Sequence, residues 1–413
     1  MLDSYIVALV EEKFNQKNIS NLIRNILTLR YDPSQKTTLP IINSKNYLPT
    51  KQYDLNFIEN SLKNSIETKL GTAKNLSISL SGGIDSTLVL GLIRKTLPDL
   101  KINAISIKFA HSTDETSTAK KIANFFETDH EIISIENYLL ELPSAISIIG
   151  LPFWDIHWYY IAKNAKSKSN FLASGDGGDE LFGGYTFRYS KFLSMIKSDS
   201  SPLEKIKAYL SCHERDWVPD QEKIFNQKTN FSWESIHTIF QPFFDNSLSP
   251  LDQVFLADYN GKLLHNFSII GNKINQFFNL KPVAPILEPK LISYASQLSA
   301  ESKYDPTKNI GKLPLRKLLT KYQCDSLVSK EKLGFSVNTI NLWNSIGKEL
   351  CINYLENARI VEDGWINKEW ISSYITKPDL DVRYVNKFLG LLALEIWYRL
   401  FITKEMNSKT KLS

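Results

Sequence analysis

Between Asp54 and Ala173 the chain switches repeatedly between two hydrophobic periods, and this alternation limits the possible folds more than any other feature. Leu55, Ile58, Leu62 and Ile66 recur at helical spacing. Leu76 to Leu80 then alternates as a short strand, Ser81 to Asp85 reads as a tight turn, and a second helix carries Leu88, Val89, Leu92 and Ile93 up to Pro98. The pattern continues with a strand over Ile102 to Phe109 and a helix bearing Ala119, Ile122, Ala123 and Phe126. A strand over Glu131 to Ile135, a helix over Ile156 to Ala165 and a strand over Phe171 to Ala173 complete it. Such spacing predicts an α/β fold, a parallel sheet with helices on both faces. After about residue 190 the strands stop, and helices joined by Pro, Gly and Asn loops run to a last strong helix over Val385 to Phe401. Three segments are expected: a helical lead-in (Leu2 to Leu29) with its connector (Asp32 to Lys51) over 1–53, the α/β core over 54–192, and a mostly helical C-terminal region over 193–413.

Charge and cysteine usage narrow the function classes. Lys+Arg total 49 against 44 Asp+Glu over 413 residues, and no dense basic run is present, so an anionic ligand is permitted but nucleic acid is not called for. The three cysteines, Cys212, Cys324 and Cys351, share no disulfide-scaffold or C-x-x-C spacing, which points to a reduced, cytoplasmic setting without a structural zinc or iron–sulfur site. Met1 to Val10 has no basic n-region, and the apolar run Phe388 to Leu394 ends at Glu395, far short of the roughly 20 residues of a membrane span. No membrane association is expected.

Chemistry concentrates in two strings. The first, Ser81-Gly82-Gly83-Ile84-Asp85-Ser86, follows a strand and opens a helix. Its glycines let backbone approach a ligand, and the unpaired N–H groups of the helix start form an anion site. The hydroxyls of Ser81 and Ser86 add donors. A carboxylate at a phosphate site is repulsive unless a cation lies between, which makes Asp85 a natural Mg²⁺ ligand. An ordinary capped Gly-Gly turn is the bland alternative. The string resembles the PP-loop of the ATP pyrophosphatases, which release pyrophosphate and transfer AMP, whereas the G-x-x-x-x-G-K-[ST] phosphate motif is absent.

The second string, Ser174-Gly175-Asp176-Gly177-Gly178-Asp179-Glu180-Leu181-Phe182-Gly183-Gly184-Tyr185, follows the fourth strand, at the sheet edge where open α/β folds bind ligands. Three acidic groups within five residues signal a metal or a perturbed pKa. The string resembles the S-G-x-G-x-D-E-x-F-G-G-Y signature of asparagine synthetase-like enzymes. The resemblance, from about Asp54 to Phe401, implies a PP-loop (adenine nucleotide alpha hydrolase-like) ATP-binding core. It implies Asp179 as second Mg²⁺ ligand beside Asp85, and Asp176 near the reacting centre. It also implies Ser81, Gly82, Gly83 and Ser86 around the ATP phosphates, with Leu80, Ile107, Ser174 and Gly175 at the adenosine. Asp114-Glu115 with Ala119 and His130 resembles another family segment, although His130 alone reads as a packed or surface histidine. Gly311-Lys312-Leu313-Pro314-Leu315-Arg316 resembles G-K-x-x-L-R. Lys330-Glu331-Lys332-Leu333-Gly334-Phe335 resembles R-P-K-K-G-F, which places Lys332 on the family's lysine for the α-phosphate and reacting carboxyl.

Two departures accompany the match. Family members usually begin with a glutaminase domain whose N-terminal cysteine is the nucleophile, but residue 2 is Leu2, no cysteine precedes Cys212, and about 53 residues are too few for that domain. Free ammonia, a separate glutaminase subunit or an amine substrate is the expected nitrogen source. On the acceptor side Asn272, Lys281 and Val283 stand where the family carries an acid, Glu and Arg, through either an exchanged structural pair or a different acceptor pocket. The resemblance implies an ATP-dependent, AMP-forming amide ligase that activates a carboxylate, with aspartate to asparagine first. The same chemistry on another carboxylate or amine in a biosynthetic or peptide-modifying pathway comes second. A nucleotide-binding subunit without catalysis would have no need of Asp85, Asp179 and Lys332. A tRNA-modifying PP-loop enzyme would show a basic patch or reactive cysteine pair, and neither is visible.

Overall fold

The computed structural model describes residues 16–47, 49–50, 52–110, 114, 116–328 and 337–412. The sheet lies at the centre, in the order β3-β2-β1-β4-β5 with every pair parallel. Its strands are β1 (Asn75–Ser79), β2 (Lys101–Phe109), β3 (Asp129–Ile135), β4 (Phe171–Ala173) and β5 (Lys281–Val283). The described part of the lead-in contains α1 (Gln16–Leu29), followed by α2 (Leu55–Leu70), α3 (Ile84–Thr96), α4 (Thr116–Phe125), α5 (Leu142–Ile149) and α6 (His157–Ala165).

Period-two alternation sends the strand side chains to two cores. Leu76, Ile78 and Ala104 join Ile58, Leu62 and Ile66 of α2, Leu88 and Leu92 of α3 and Ile122 of α4 on one face. Ile105, Ile107 and Phe109 join Ile146 of α5, Ile161 of α6, Leu22 of α1 and the final helix, Val382–Phe401, on the other. Helices therefore cover both faces, as the alternating pattern requires. Asp54 caps α2 by accepting from the N–H groups of Asn56 and Phe57, which ends the connector. The connector packs on the helical half: Asn260 exchanges hydrogen bonds with the backbone of Ile42, and Tyr259 donates to Pro40 O.

One strand lies where only helices were expected. β5 comes from the helical half, and its Val283 O accepts the Ser174 N–H. It is three residues long and contains Pro282, which an edge strand tolerates because one side of its ladder is unused. Helix α5, apolar nearly all round, also had no periodic signal. Strands run outward from β1 to β3 and then resume on the other side with β4. The order thus reverses between β1 and β4, and the crevice at their carboxyl ends is the switch point.

Candidate active site

Both acidic strings open into this crevice. Leu80 is fully buried and tied to β2 through its N–H to Ile105 O, and the Ser106 hydroxyl donates to its carbonyl. His130 approaches the same hydroxyl at 2.9 Å, and burial holds its pKa below the ordinary value, so it acts as a packed support. Ser81 and Ser86 face each other across the turn at 3.3 Å, Gly82 takes a φ of 76°, and Gly83 is the N-cap of α3. Asp85 stands in the first turn of that helix. Ile107 is buried on β2, with its side chain in the core shared with α5 and α6.

The second string folds against the first. After β4, the Ser174 hydroxyl donates to Asp176 at 2.8 Å, and α7 (Gly178–Phe182) carries Asp179 in its first turn. The approach is close enough that a Cβ on Gly178 would overlap the Asp85 carboxyl, and one on Gly184 would overlap the Asp179 carboxyl. Asp176 opens to solvent although protein crowds it. Crowding raises its carboxyl pKa, with Ser174 and His157 partly offsetting the effect. Glu180 is buried and bonded to the Tyr185 hydroxyl at 2.5 Å. Burial, then the neighbouring Asp179, pushes its pKa up to about 7.

Asp85 and Asp179 converge on one cation. The Lys312 ammonium lies 2.5 Å from Asp85 and 2.8 Å from Asp179. Lys312 takes a left-handed φ of 58° at the start of helix Leu313–Lys321, and its N–H bonds Phe182 O, which fixes its stem over α7. Burial disfavours its charge, but the two carboxylates outweigh that and hold its pKa above the ordinary lysine value. The G-K string was visible in the sequence, but this position was not, because nothing local to residues 311–316 reveals the turn that folds it over α7.

These two carboxylates fit a magnesium ion. They are hard oxygen donors already gathered around one positive charge, and the glycines beside them let both carboxyls pack close to the backbone where a Cβ would overlap them. Magnesium in nucleotide sites commonly takes one or two carboxylates together with substrate phosphates, so a pair suffices. No group of three or more His, Cys, Asp or Glu suited to a metal exists among the described residues. Lys332, with Lys330, Gly334 and Phe335, lies outside the described residues.

Residues 58–399 match the family model described as asparagine synthase. The chain belongs to the asparagine synthase family. It is 24% identical over 383 residues to the asparagine synthetase [glutamine-hydrolyzing] 1 of Bacillus subtilis, covering 84% of this chain and 59% of that protein. It is 33% identical over 129 residues to a putative asparagine synthetase [glutamine-hydrolyzing] 2 of Methanocaldococcus jannaschii, covering 30% and 25%. The chain thus spans little more than half the length of that Bacillus subtilis protein. Among solved structures, the NMN synthetase of Francisella tularensis aligns over 52% of this chain and all of its own, at 16% identity and a TM-score of 0.27, too low to add to the fold described above.

The departures from the family pattern sit at different distances from the crevice. Lys281 pairs with Phe171 at the start of β5 and lays its ammonium over that ring, at the strand end away from the site. Val283 is buried, with its carbonyl on Ser174. Asn272 is bonded to Thr38 of the connector. Among the described residues, no helix is long and apolar enough to cross a membrane.

Proposed function

We propose that the chain is an ATP-dependent, AMP-forming amide ligase acting on a small carboxylate, with aspartate, giving asparagine, as the leading acceptor. The observation that carries this is the convergence of Asp85 and Asp179 on one cation beside Ser81–Ser86 at the switch point. In this reading the α3 amides and the hydroxyls of Ser81 and Ser86 bind the terminal phosphates, and Ser174 and Gly175 adjoin the adenosine, backed by the buried Leu80 and Ile107. Mg²⁺ held by Asp85 and Asp179 would neutralise charge developing on the departing pyrophosphate. Lys312 and, by resemblance, Lys332 supply further positive charge, Lys332 reaching the α-phosphate and reacting carboxyl.

The substrate carboxylate attacks the α-phosphorus, pyrophosphate leaves, and nitrogen then attacks the acyl-adenylate. Holding both reactants in one crevice supplies much of the acceleration. Nitrogen comes from ammonia or a partner glutaminase. Burial raises the thiol pKa of Cys212 and of Cys324 to about 11, and pushes Cys351 up further, so none of the three is tuned as a nucleophile for glutamine hydrolysis. The segment boundaries near residues 53 and 192 remain part of this proposal, with β5 crossing between the two larger parts. A second reading keeps the chemistry and changes the carboxylate; of the three departures only Val283, whose carbonyl accepts the Ser174 N–H, adjoins the crevice. Pyrophosphate release with ATP and Mg²⁺ against a carboxylate panel, with ammonium and with glutamine, separates the two. Aspartate with ammonium is expected to give the highest rate, and no release with any carboxylate would reject the assignment.

A further inference from the structure

A second cluster of charged groups borders the crevice. Helix α6 precedes β4 and packs on β1, β2 and β4, so its first residue, His157, lies at the carboxyl edge of the sheet, the edge from which Ser174–Asp179 emerges. The segment before it brings Asp155 alongside. Asp155 Oδ1 lies 3.1 Å from His157 Nδ1 and accepts from the Tyr138 hydroxyl at 2.7 Å, and Oδ2 pairs with Arg30 at 3.7 Å. Tyr138 also accepts the Ile156 N–H, which pins the start of α6 to the same oxygen. Arg30 arrives from the end of α1 at a left-handed φ of 62°, an uncommon conformation for a non-glycine residue, and is shared with Asp216. His157 and Asp155 remain 29% and 40% exposed although protein surrounds them, as groups on the wall of a crevice do.

These contacts fix a tautomer. Burial works against ionising Asp155, but His157, Arg30 and Tyr138 prevail and hold its pKa below the carboxylate range. An ionised carboxylate only accepts, so Nδ1 carries the hydrogen and Nε2 is the basic nitrogen. Burial and Arg30 disfavour the imidazolium. Asp155 and then Asp176 outweigh them, and the net pKa lies above 6.5. A histidine raised in this way is stabilised once protonated, which suits proton removal.

We propose that His157, oriented by Asp155, takes the proton from the nitrogen that attacks the acyl-adenylate. This rests on the amide-ligase reading above. When neutral nitrogen attacks, the N–C bond forms and the nitrogen becomes positive. Passing one N–H proton to Nε2 lets the C–O bond break with its electron pair on AMP, and the imidazolium then returns the proton to solvent. Adenylation moves no such proton, so His157 separates the two half-reactions. Asp155 is a positioning residue.

The test compares His157→Gln and Asp155→Asn with the wild type in carboxylate-dependent ATP–pyrophosphate exchange and in amide formation, from about pH 6 to 9. Amide formation is expected to fall by about 10²–10⁴ in His157→Gln, far more than exchange. At a fixed concentration of free, unprotonated ammonia, the wild-type amide rate rises with pH through a midpoint above 6.5, because the neutral imidazole is the active form. That limb vanishes in His157→Gln and moves to lower pH in Asp155→Asn. Equal losses in both half-reactions, or a limb that persists without His157, would overturn the proposal. Nuclear magnetic resonance of ¹⁵N-labelled histidine gives an activity-free check: the His157 midpoint falls in Asp155→Asn, and an unchanged midpoint counts against the orientation. A wild type without exchange for any carboxylate instead refutes the ligase reading itself.

Discussion

Replacing Lys312 by Met removes one charge and keeps the aliphatic stem in its left-handed backbone, so the variant isolates electrostatics from strain. In the wild type its ammonium lies 2.5 Å from Asp85 and 2.8 Å from Asp179, and its side chain is only 10% exposed. Without it the two carboxylates are left within about 5 Å of each other, a repulsion of about 3 kcal/mol or more at an effective dielectric near 20. Removing one partner from a buried charge pair generally costs about 3–5 kcal/mol, the same range. Lys312→Met is therefore expected to lose about 3–5 kcal/mol in denaturant unfolding without divalent cation. Magnesium should recover much of that loss, because it binds the same carboxylates in the folded state alone. At a hundredfold excess over the dissociation constant, linkage supplies about 2.7 kcal/mol. The wild type, whose carboxylates already share a cation, should respond less. A variant within about 1 kcal/mol of wild type, or one with the same magnesium response, would refute the claim that these carboxylates form one cation site.

Four further outcomes follow from the same geometry. Gly178→Ala and Gly184→Ala force a methyl into the Asp85 and Asp179 carboxyls and should abolish pyrophosphate release at a stability cost of about 1–3 kcal/mol; Gly364→Ala, with positive φ in open space, should cost about 1 kcal/mol and leave release intact. Lys332→Ala should lower turnover by roughly 10²–10³ with little change in ATP affinity, while Lys330→Ala stays close to wild type; identical behaviour of the two would break the alignment of that loop. Glu59 is buried, yet Lys321, Lys63 and Tyr322 overcome the burial and pull its pKa down to about 2. Its folded value is depressed, so its stabilisation is present above the unfolded value of 4.5 and is lost as pH falls from 4.5 toward 2, by about 2 kcal/mol after discounting for the partly exposed lysines; Glu59→Gln should flatten that acid limb in an unfolding titration. Ammonium should support amide formation by this chain and glutamine should not, and glutamate released from glutamine by the pure protein would contradict it.

The four strands and their helices were legible because each strand face belongs to one core. Ile78 and Ala104 turn one way and Ile105 and Ile107 the other, and period two in the sequence records that directly. β5 was not legible. Lys281-Pro282-Val283 has no alternation to read and is a strand only because Phe171–Ala173, more than a hundred positions earlier, offers it an edge. The acidic strings were legible as phosphate and metal chemistry, since closely spaced glycines and carboxylates have few other uses. Their convergence on Lys312 was hidden, because that contact depends on a helix from the other half of the chain. His157, Asp155 and Arg30 left no motif at all. Arg30 and Asp155 meet only because α1 ends beside the loop that leads into α6.

Oxygen transfer tests the central claim most directly. An acyl-adenylate joins a carboxylate oxygen to the α-phosphorus, and that oxygen stays on AMP when nitrogen displaces it. With aspartate labelled with ¹⁸O at both oxygens of its side-chain carboxyl, ATP, Mg²⁺ and ammonium, mass spectrometry should find one ¹⁸O in AMP, unlabelled pyrophosphate and asparagine with one labelled oxygen. Label in inorganic phosphate with ADP as the nucleotide product, or AMP formed without label, would contradict it.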